Sequence, residues 1–261
     1  DVPKPEVKSG EVLIRVKYAS ICGSDMHIFS GDFHPRTPIP FTPGHEFGGV
    51  IEAIGEGVSG FEIGEKVAVD PIIWCGKCPA CERHHYPACT SLKLLGVDLN
   101  GGFAEYISVP PHMIFKAASH LPDKHVALVE VYGIGFHANK RAGTQPGDTL
   151  AIWGGGRVGH VVLQAARTIT DGTIFFIDPL ENRLKIASDY YDNVITINPS
   201  KVNPVDVIKE KTNGKGVDIA FETVGHAHHF DGVPNPVRGC IQSIRGAGTV
   251  CVLGLSDEPA P

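Results

Sequence analysis

From about His125 the chain carries five short apolar runs rich in β-branched residues, TLAIW, TIFFI, NVITI, VDIAF and TVCVL. Between them lie segments of helical character such as RVGHVVLQAARTI and ENRLKIASDYY. Apolar runs of that length read as buried strands, and strands alternating with helices wind into right-handed βαβ units around a parallel sheet. Residues 125–261 are therefore expected to form an α/β domain, a doubly wound parallel sheet with helices on its faces.

The first of these strands runs into GGGRVG, with Gly154, Gly156 and Gly159 in a GxGxxG spacing and Arg157 and Val158 between the last two. Glycines between a strand and a helix permit a tight turn and a close backbone approach to a pyrophosphate, which sits at the positive end of the following helix. This is the Rossmann arrangement. The next strand ends at Asp178, at the distance where a carboxylate accepts hydrogen bonds from an adenosine ribose and repels a 2'-phosphate, so NAD is favoured over NADP. Arg157 either faces solvent or approaches the pyrophosphate. The cofactor-binding candidates are Gly154, Gly156, Arg157, Val158, Gly159, Asp178 and Arg183.

Before about Lys124 the texture differs. EVLIRVKYA alternates Val12, Ile14, Val16 and Tyr18 on one face, and EFGGVIEAIGEGV and GEKVAV are further short runs bounded by glycine, so residues 1–124 read as an all-β barrel or sandwich. This half also holds WCGKCPACERHHYPACTS, which contains four of the seven cysteines, Cys75, Cys78, Cys81 and Cys89. With no export signal in DVPKPEVKSGE, a disulfide framework is disfavoured and thiolate or metal chemistry is expected. Four close thiolates suit a tetrahedral zinc and leave no vacancy for water or substrate, so this is read as a structural zinc clip. His84 and His85 lie within the loop as spare ligands or, given four thiolates, as solvated side chains.

A second ligand set is more open. ICGSDMHIFSGD offers Cys22, Ser24, Asp25 and His27, and PGHEFGG offers His45 and Glu46. One thiolate, one imidazole and a nearby carboxylate make a zinc set with room for an exchangeable ligand, which is the pattern of a catalytic zinc.

The charge balance excludes another class. Lys and Arg total 23 against 29 Asp and Glu, and a net charge of −6 provides no field to gather a polyanion, so nucleic acid is not an expected partner. No apolar run approaches the roughly 20 residues that span a bilayer. A soluble cytoplasmic protein is expected. The start lacks an initiator Met and the end follows directly on a strand-like run, so residues are expected to be missing at both ends.

The ordered set CGSDMH, GHEFGG, the four-cysteine loop, GGGRVG and GKGVDIAFETVG resembles the zinc-containing medium-chain alcohol dehydrogenases, in their polyol (sorbitol) and threonine dehydrogenase branch, over nearly the whole chain. The resemblance implies a GroES-like β-barrel catalytic domain, a Rossmann NAD-binding domain, and assembly into a homodimer or homotetramer. By it, Cys22 and His45 bind a catalytic zinc, with Glu46 beside it as outer partner or alternating ligand. Ser24 and His27 match the pair that carries the alcohol proton to solvent, and Asp25 matches an outer partner of the metal. Glu130, in ALVEVYGIGFHA, matches a carboxylate near the metal, directly or through water; the family usually follows it with proline, where this chain has Val131.

Two zinc ions per chain, one catalytic and one structural, and NAD are thus expected, with a small-molecule alcohol or polyol giving up hydride. The competing readings are a zinc-independent quinone or enone reductase on the same fold and a nucleotide-binding relative without turnover. The family also has an additional N-terminal strand segment and a C-terminal part that completes the sheet, and neither is present in this sequence.

Overall fold

The computed structural model describes residues 2–225 and 230–254. It divides into two compact units, Asp1–Glu130 and Val131–Pro261.

The first unit contains β1 (Val12–Ser20), α1 (Gly23–Ser30), β2 (Glu46–Ile54), β3 (Lys66–Val69), β4 (Ile72–Ile73), α2 (Pro79–Glu82), β5 (Lys93–Leu94), β6 (Tyr106–Val109), β7 (Ile114–Lys116) and α3 (Asp123–Val126). Its main sheet is antiparallel in the order β6-β1-β2-β3-β7, and β4 and β5 form a separate ribbon. Val12, Ile14, Phe47, Ile51, Val67 and Val69 supply its core. The unit extends a little past the change in sequence texture because α3 folds back onto the sheet, where the Val126 side chain packs against Gly48 so closely that an added Cβ would lie 2.7 Å from it.

Two details depart from the sequence reading. Along β1, Val12 and Ile14 are buried as expected, but Leu13 between them is buried too and Tyr18 is exposed. A shift of register between Val16 and Tyr18 breaks the two-residue period, as a bulge does. The segment GSDMHIFS, read within an all-β half, forms α1. Asp25 is its only buried residue, so no apolar stripe announces the helix.

In the second unit α4 (Val129–Ala142), which begins at the boundary, precedes β8 (Leu150–Trp153), α5 (Arg157–Arg167), β9 (Ile174–Ile177), α6 (Glu181–Tyr190), β10 (Val194–Ile197), α7 (Pro204–Lys211), β11 (Val217–Glu222), α8 (Pro236–Ser243) and β12 (Ile244–Val252). The sheet is parallel in the order β10-β9-β8-β11-β12. Every residue of β8 and β9 is buried, as expected of strands covered on both faces. Leu150 and Ile152 pack with Val162, Leu163 and Leu184 on one face, while Ala151 and Trp153 pack with Ile208 and Cys240 on the other. The order reverses between β8 and β11, and that crevice at the carboxyl ends of the strands is where a doubly wound sheet receives its ligand.

Candidate active site and nucleotide site

Strand pairing assembles the open cluster. Ser20, the last residue of β1, is in register with Glu46, the first of β2, so Cys22 just beyond one strand and His45 just before the other meet at the same end of the sheet. Cys22 caps α1 in an extended conformation, and its backbone N–H donates to Asp25 Oδ2 at 2.7 Å. A carboxylate in the first turn also suits the helix dipole. Ser20 Oγ donates to Glu46 Oε2 at 2.5 Å and fixes that carboxylate.

The ligand atoms of Cys22, His45 and Glu46 lie within 4.8 Å of one another. His45 Nε2 is 3.9 Å from Glu46 Oε1, and His45 Nδ1 is 3.7 Å from Asp25 Oδ1. Burial pushes the Cys22 thiol up, but hydrogen bonds with His45 and Ser24 more than reverse this and hold it below its ordinary value. Burial likewise presses His45 down, and the hydrogen bond and charge of Cys22, with the charges of Asp25 and Glu130, carry it above its ordinary value. Cys22, Ser24, Asp25, His45, Glu46 and the half-buried Glu130 are thus brought together. His27 is exposed, with Nδ1 2.8 Å from Asp32 Oδ2, and the hydrogen bonds of Ser24 run to Cys22 instead.

This donor set fits a metal. Asp25 Oδ1 and His45 Nδ1 are buried without a hydrogen-bond partner. With Asp25 on its Nδ1 side, His45 presents Nε2 towards Glu46 and Cys22, the arrangement in which a histidine ligates a metal through one nitrogen with a carboxylate behind the other.

The second cluster is local. The four sulfurs of Cys75, Cys78, Cys81 and Cys89 lie within 4.8 Å of one another, and no disulfide joins any of them. Pro79 opens the single turn α2, a position where its missing N–H costs nothing. Cys89 Sγ accepts from the backbone N–H groups of Cys75 at 3.3 Å and Ser91 at 3.4 Å. The backbone N–H groups of Cys81 and Thr90 bring the Cys78 thiol down to about 5. Burial, with Cys78 beside it, pushes Cys81 up to about 12. A divalent ion bound among the four sulfurs would let neighbouring thiols ionise together. Trp74 stacks on Tyr86 at 4.2 Å beside the sulfurs, and His84 and His85 are exposed.

In the second unit Gly154 has φ +104°, and a Cβ there would meet Thr223 Oγ1 at 2.7 Å. A Cβ at Gly159 would stand 1.8 Å from the Gly154 carbonyl oxygen, which explains why α5 can start so close to β8. Gly156 caps α5 and has open space before it. Asp178 is 3% exposed; it accepts from the N–H groups of Gly155 and Leu180 at 2.8 Å each and from Arg183 Nη1 at 3.2 Å. Gly154, Gly156, Asp178, Leu180, Arg183 and Thr223 line one cavity of about 430 Å³. Val158 packs into the core, and Arg157 is half-buried.

Sequence reasoning did not single out Ser20, Thr223 or Glu222. Ser20 becomes visible only once the register of β1 against β2 is known. Glu222 lies in the quoted stretch GKGVDIAFETVG, but its partners are backbone N–H groups, which leave no side-chain pattern.

The Alcohol dehydrogenase GroES-like domain matches residues 8–123, and the Zinc-binding dehydrogenase domain matches residues 158–261. Sorbitol dehydrogenase of Bacillus subtilis is 34% identical, over 98% of this chain and 71% of the relative. L-Threonine 3-dehydrogenase of Pyrococcus furiosus is 35% identical, again over 98% of this chain and 71% of the relative. Among solved structures, a Sinorhizobium meliloti protein described as a zinc-binding dehydrogenase and bound to NADP superposes with a TM-score of 0.90 at 30% identity, covering all of this chain and 74% of that one. No helix among the described residues is long and apolar enough to cross a membrane.

Proposed function

The chain belongs to the zinc-containing alcohol dehydrogenase family, in its polyol and threonine dehydrogenase branch, and on that premise we propose that it oxidises a small secondary alcohol, a polyol or an amino-alcohol such as threonine, with NAD as hydride acceptor. The observation that carries this reading is the buried cluster of Cys22, His45 and Glu46, with an imidazole nitrogen left unpartnered against Asp25.

Cys22 and His45 would hold the catalytic zinc, completed by Glu46 or Glu130, while Cys75, Cys78, Cys81 and Cys89 would hold the structural one. When bound, the first zinc supplies a Lewis acid that acidifies a hydroxyl, and the nicotinamide cofactor supplies the hydride acceptor. Asp25 orients the His45 ring. Ser24 takes the alcohol proton, and His27, three positions along α1 and hydrogen-bonded to Asp32, passes it to solvent. In the second unit the N–H groups at Gly154–Gly159 and the start of α5, with Arg157 and Val158 in that turn, would hold the pyrophosphate. Asp178 accepts from the adenosine ribose, and Arg183 keeps that carboxylate in place.

Residues 1–124 thus form the catalytic domain and 125–261 the NAD-binding domain, in a cytoplasmic homodimer or homotetramer. Seven cysteines with no disulfide suit a reducing compartment.

A second reading, NADP, is favoured by Arg183, whose half-exposed guanidinium beside Asp178 can meet a 2'-phosphate. One experiment separates them. Polyols, threonine and simple secondary alcohols are assayed with NAD and with NADP, on the unmodified protein and on Asp178→Ala. NAD should be preferred, and the variant should lose about tenfold or more in NAD affinity, the worth of a hydrogen bond to a charged acceptor, while narrowing its advantage over NADP. Tighter binding of NADP by the unmodified protein would overturn the NAD assignment. If no alcohol reduced either cofactor while enones were reduced without metal, the dehydrogenase reading would give way to a zinc-independent reductase.

A further inference from the structure

Glu222, the last residue of β11, is 3% exposed, and among the described residues no cation pairs with it. Among the described residues, all the partners of its carboxylate are backbone N–H groups. Oε1 accepts from Val224 at 2.8 Å and Gly225 at 3.1 Å, and Oε2 accepts from Gly254 at 3.2 Å. The Glu222 carbonyl oxygen also receives Leu253 N–H at 2.8 Å. One side chain therefore ties together the turns that leave two neighbouring strands, β11 and β12, at their carboxyl ends. Burying a charge is costly unless donors surround it, so a carboxylate here implies that the position of those turns matters.

The tie reaches the cofactor cavity. Thr223 and Val224 line it, and the Thr223 hydroxyl lies 2.8 Å from the Gly154 carbonyl oxygen and 2.9 Å from that of Trp153. In a sheet ordered β10-β9-β8-β11-β12, Asp178 stands on the β9 side of the reversal and Glu222 on the other. A dinucleotide lies across such a reversal with one mononucleotide on each half. Since Asp178 faces the adenosine, the turns held by Glu222 face the nicotinamide half.

We propose that Glu222 is a positioning residue for the nicotinamide mononucleotide half of the cofactor, an inference that rests on the dinucleotide reading above. It acts through the backbone of residues 223–225 and 253–254 and does not itself touch the ligand. Glutamine is not equivalent: it brings an NH₂ group to a site where every partner is a donor.

The test titrates the full chain with NADH and, separately, with AMP, which carries the adenosine half alone, while thermal unfolding is followed in parallel. Glu222→Gln should weaken NADH binding about tenfold, the effect of misplacing one or two hydrogen bonds, and leave AMP binding within about twofold. Gly254→Ala gives a second handle, because a Cβ there would stand 2.5 Å from Glu222 Oε2 and 2.3 Å from the Gly225 nitrogen. It should produce the same split with the carboxylate intact. A purely structural role predicts a lower melting temperature with both ligands weakened alike; that outcome, or NADH binding unchanged in both variants, overturns the assignment. An unmodified protein that bound neither probe would instead overturn the dinucleotide reading, and the assignment with it.

Discussion

Cys75, Cys78, Cys81 and Cys89 belong to a single loop, whereas Cys22 and His45 stand at the ends of two strands and meet only through the pairing of β1 with β2. In the loop, the short β4–β5 ribbon closes the ends, and a turn of helix with a few N–H donors places the sulfurs between them. In the open cluster, the sheet register and the Ser20–Glu46 and Cys22–Asp25 hydrogen bonds hold the side chains in place. The difference separates two uses of a metal. Where ligands are local, binding energy becomes folding energy. Where the scaffold has already placed them, binding energy remains available for chemistry.

The largest expected effect comes from the scaffolded site. Cys22→Ala should lower kcat/KM for alcohol oxidation by about 10³-fold or more, since several kcal/mol of Lewis-acid stabilisation are lost. NADH affinity and melting temperature should stay close to those of the parent. A large fall in melting temperature would erase the contrast, because it would mean that this ion also folds its surroundings.

Cys81→Ser is the converse experiment. It should remove the loop's metal and cost about 3 kcal/mol or more, which is on the order of 10 °C in Tm for a unit of this size. Calorimetry with metal analysis reads both quantities. An unchanged Tm in a protein that had lost one zinc would contradict the local site's role in folding.

A graded chelator titration sharpens the comparison without mutation. The intact protein should hold about two zinc ions per chain, and the open site, with its exchangeable position, should empty first. Activity should therefore vanish at one equivalent lost, with the fold retained. Simultaneous loss of both ions, or a single ion in an active protein, would break the distinction.

The smallest effect lies between the two regions. Arg36, in the segment after α1, makes a two-pronged contact with Asp98, beyond the thiol loop, at 2.8 and 2.9 Å. The Arg36 guanidinium holds the Asp98 carboxyl below its usual range, burial opposes this, and Leu94 N–H adds to it. A depressed carboxyl stabilises the fold above its unfolded-state value, and that contribution disappears as pH falls through the lower folded value. Asp98→Asn should cost about 1 kcal/mol or less at neutral pH, since Arg36 is half-exposed, and the gap from the parent should close under strong acid. A gap that widened in acid would show that the contact is not electrostatic.

These sites also differ in how far the sequence revealed them. The thiol loop was legible because its ligands are neighbours along the chain, and the glycine turn because a strand, a GxGxxG spacing and a helix follow one another. The parallel sheet was legible in its five apolar runs. The open cluster is nonlocal: Cys22 with His45 gains meaning from a register that only folding, or resemblance, supplies. A bulge near Tyr18 defeated a two-residue alternation, and α1 hid because its single buried residue is an aspartate. Glu222 was invisible as an anchor because its partners are backbone groups that any sequence would provide.

The chain has two tryptophans, and the fold assigns one to each unit. Trp74 lies face to face with Tyr86 beside the thiol loop, and Trp153, 3% exposed, ends the strand that enters the glycine turn and lines the cavity there. The protein therefore carries two native emitters at separate addresses. Under the proposed function, the emission left by Trp74→Phe should follow nucleotide binding, and that left by Trp153→Phe should follow metal binding in the loop. Paired in one denaturation series, the two signals ask whether the halves melt together or in sequence, with no added dye.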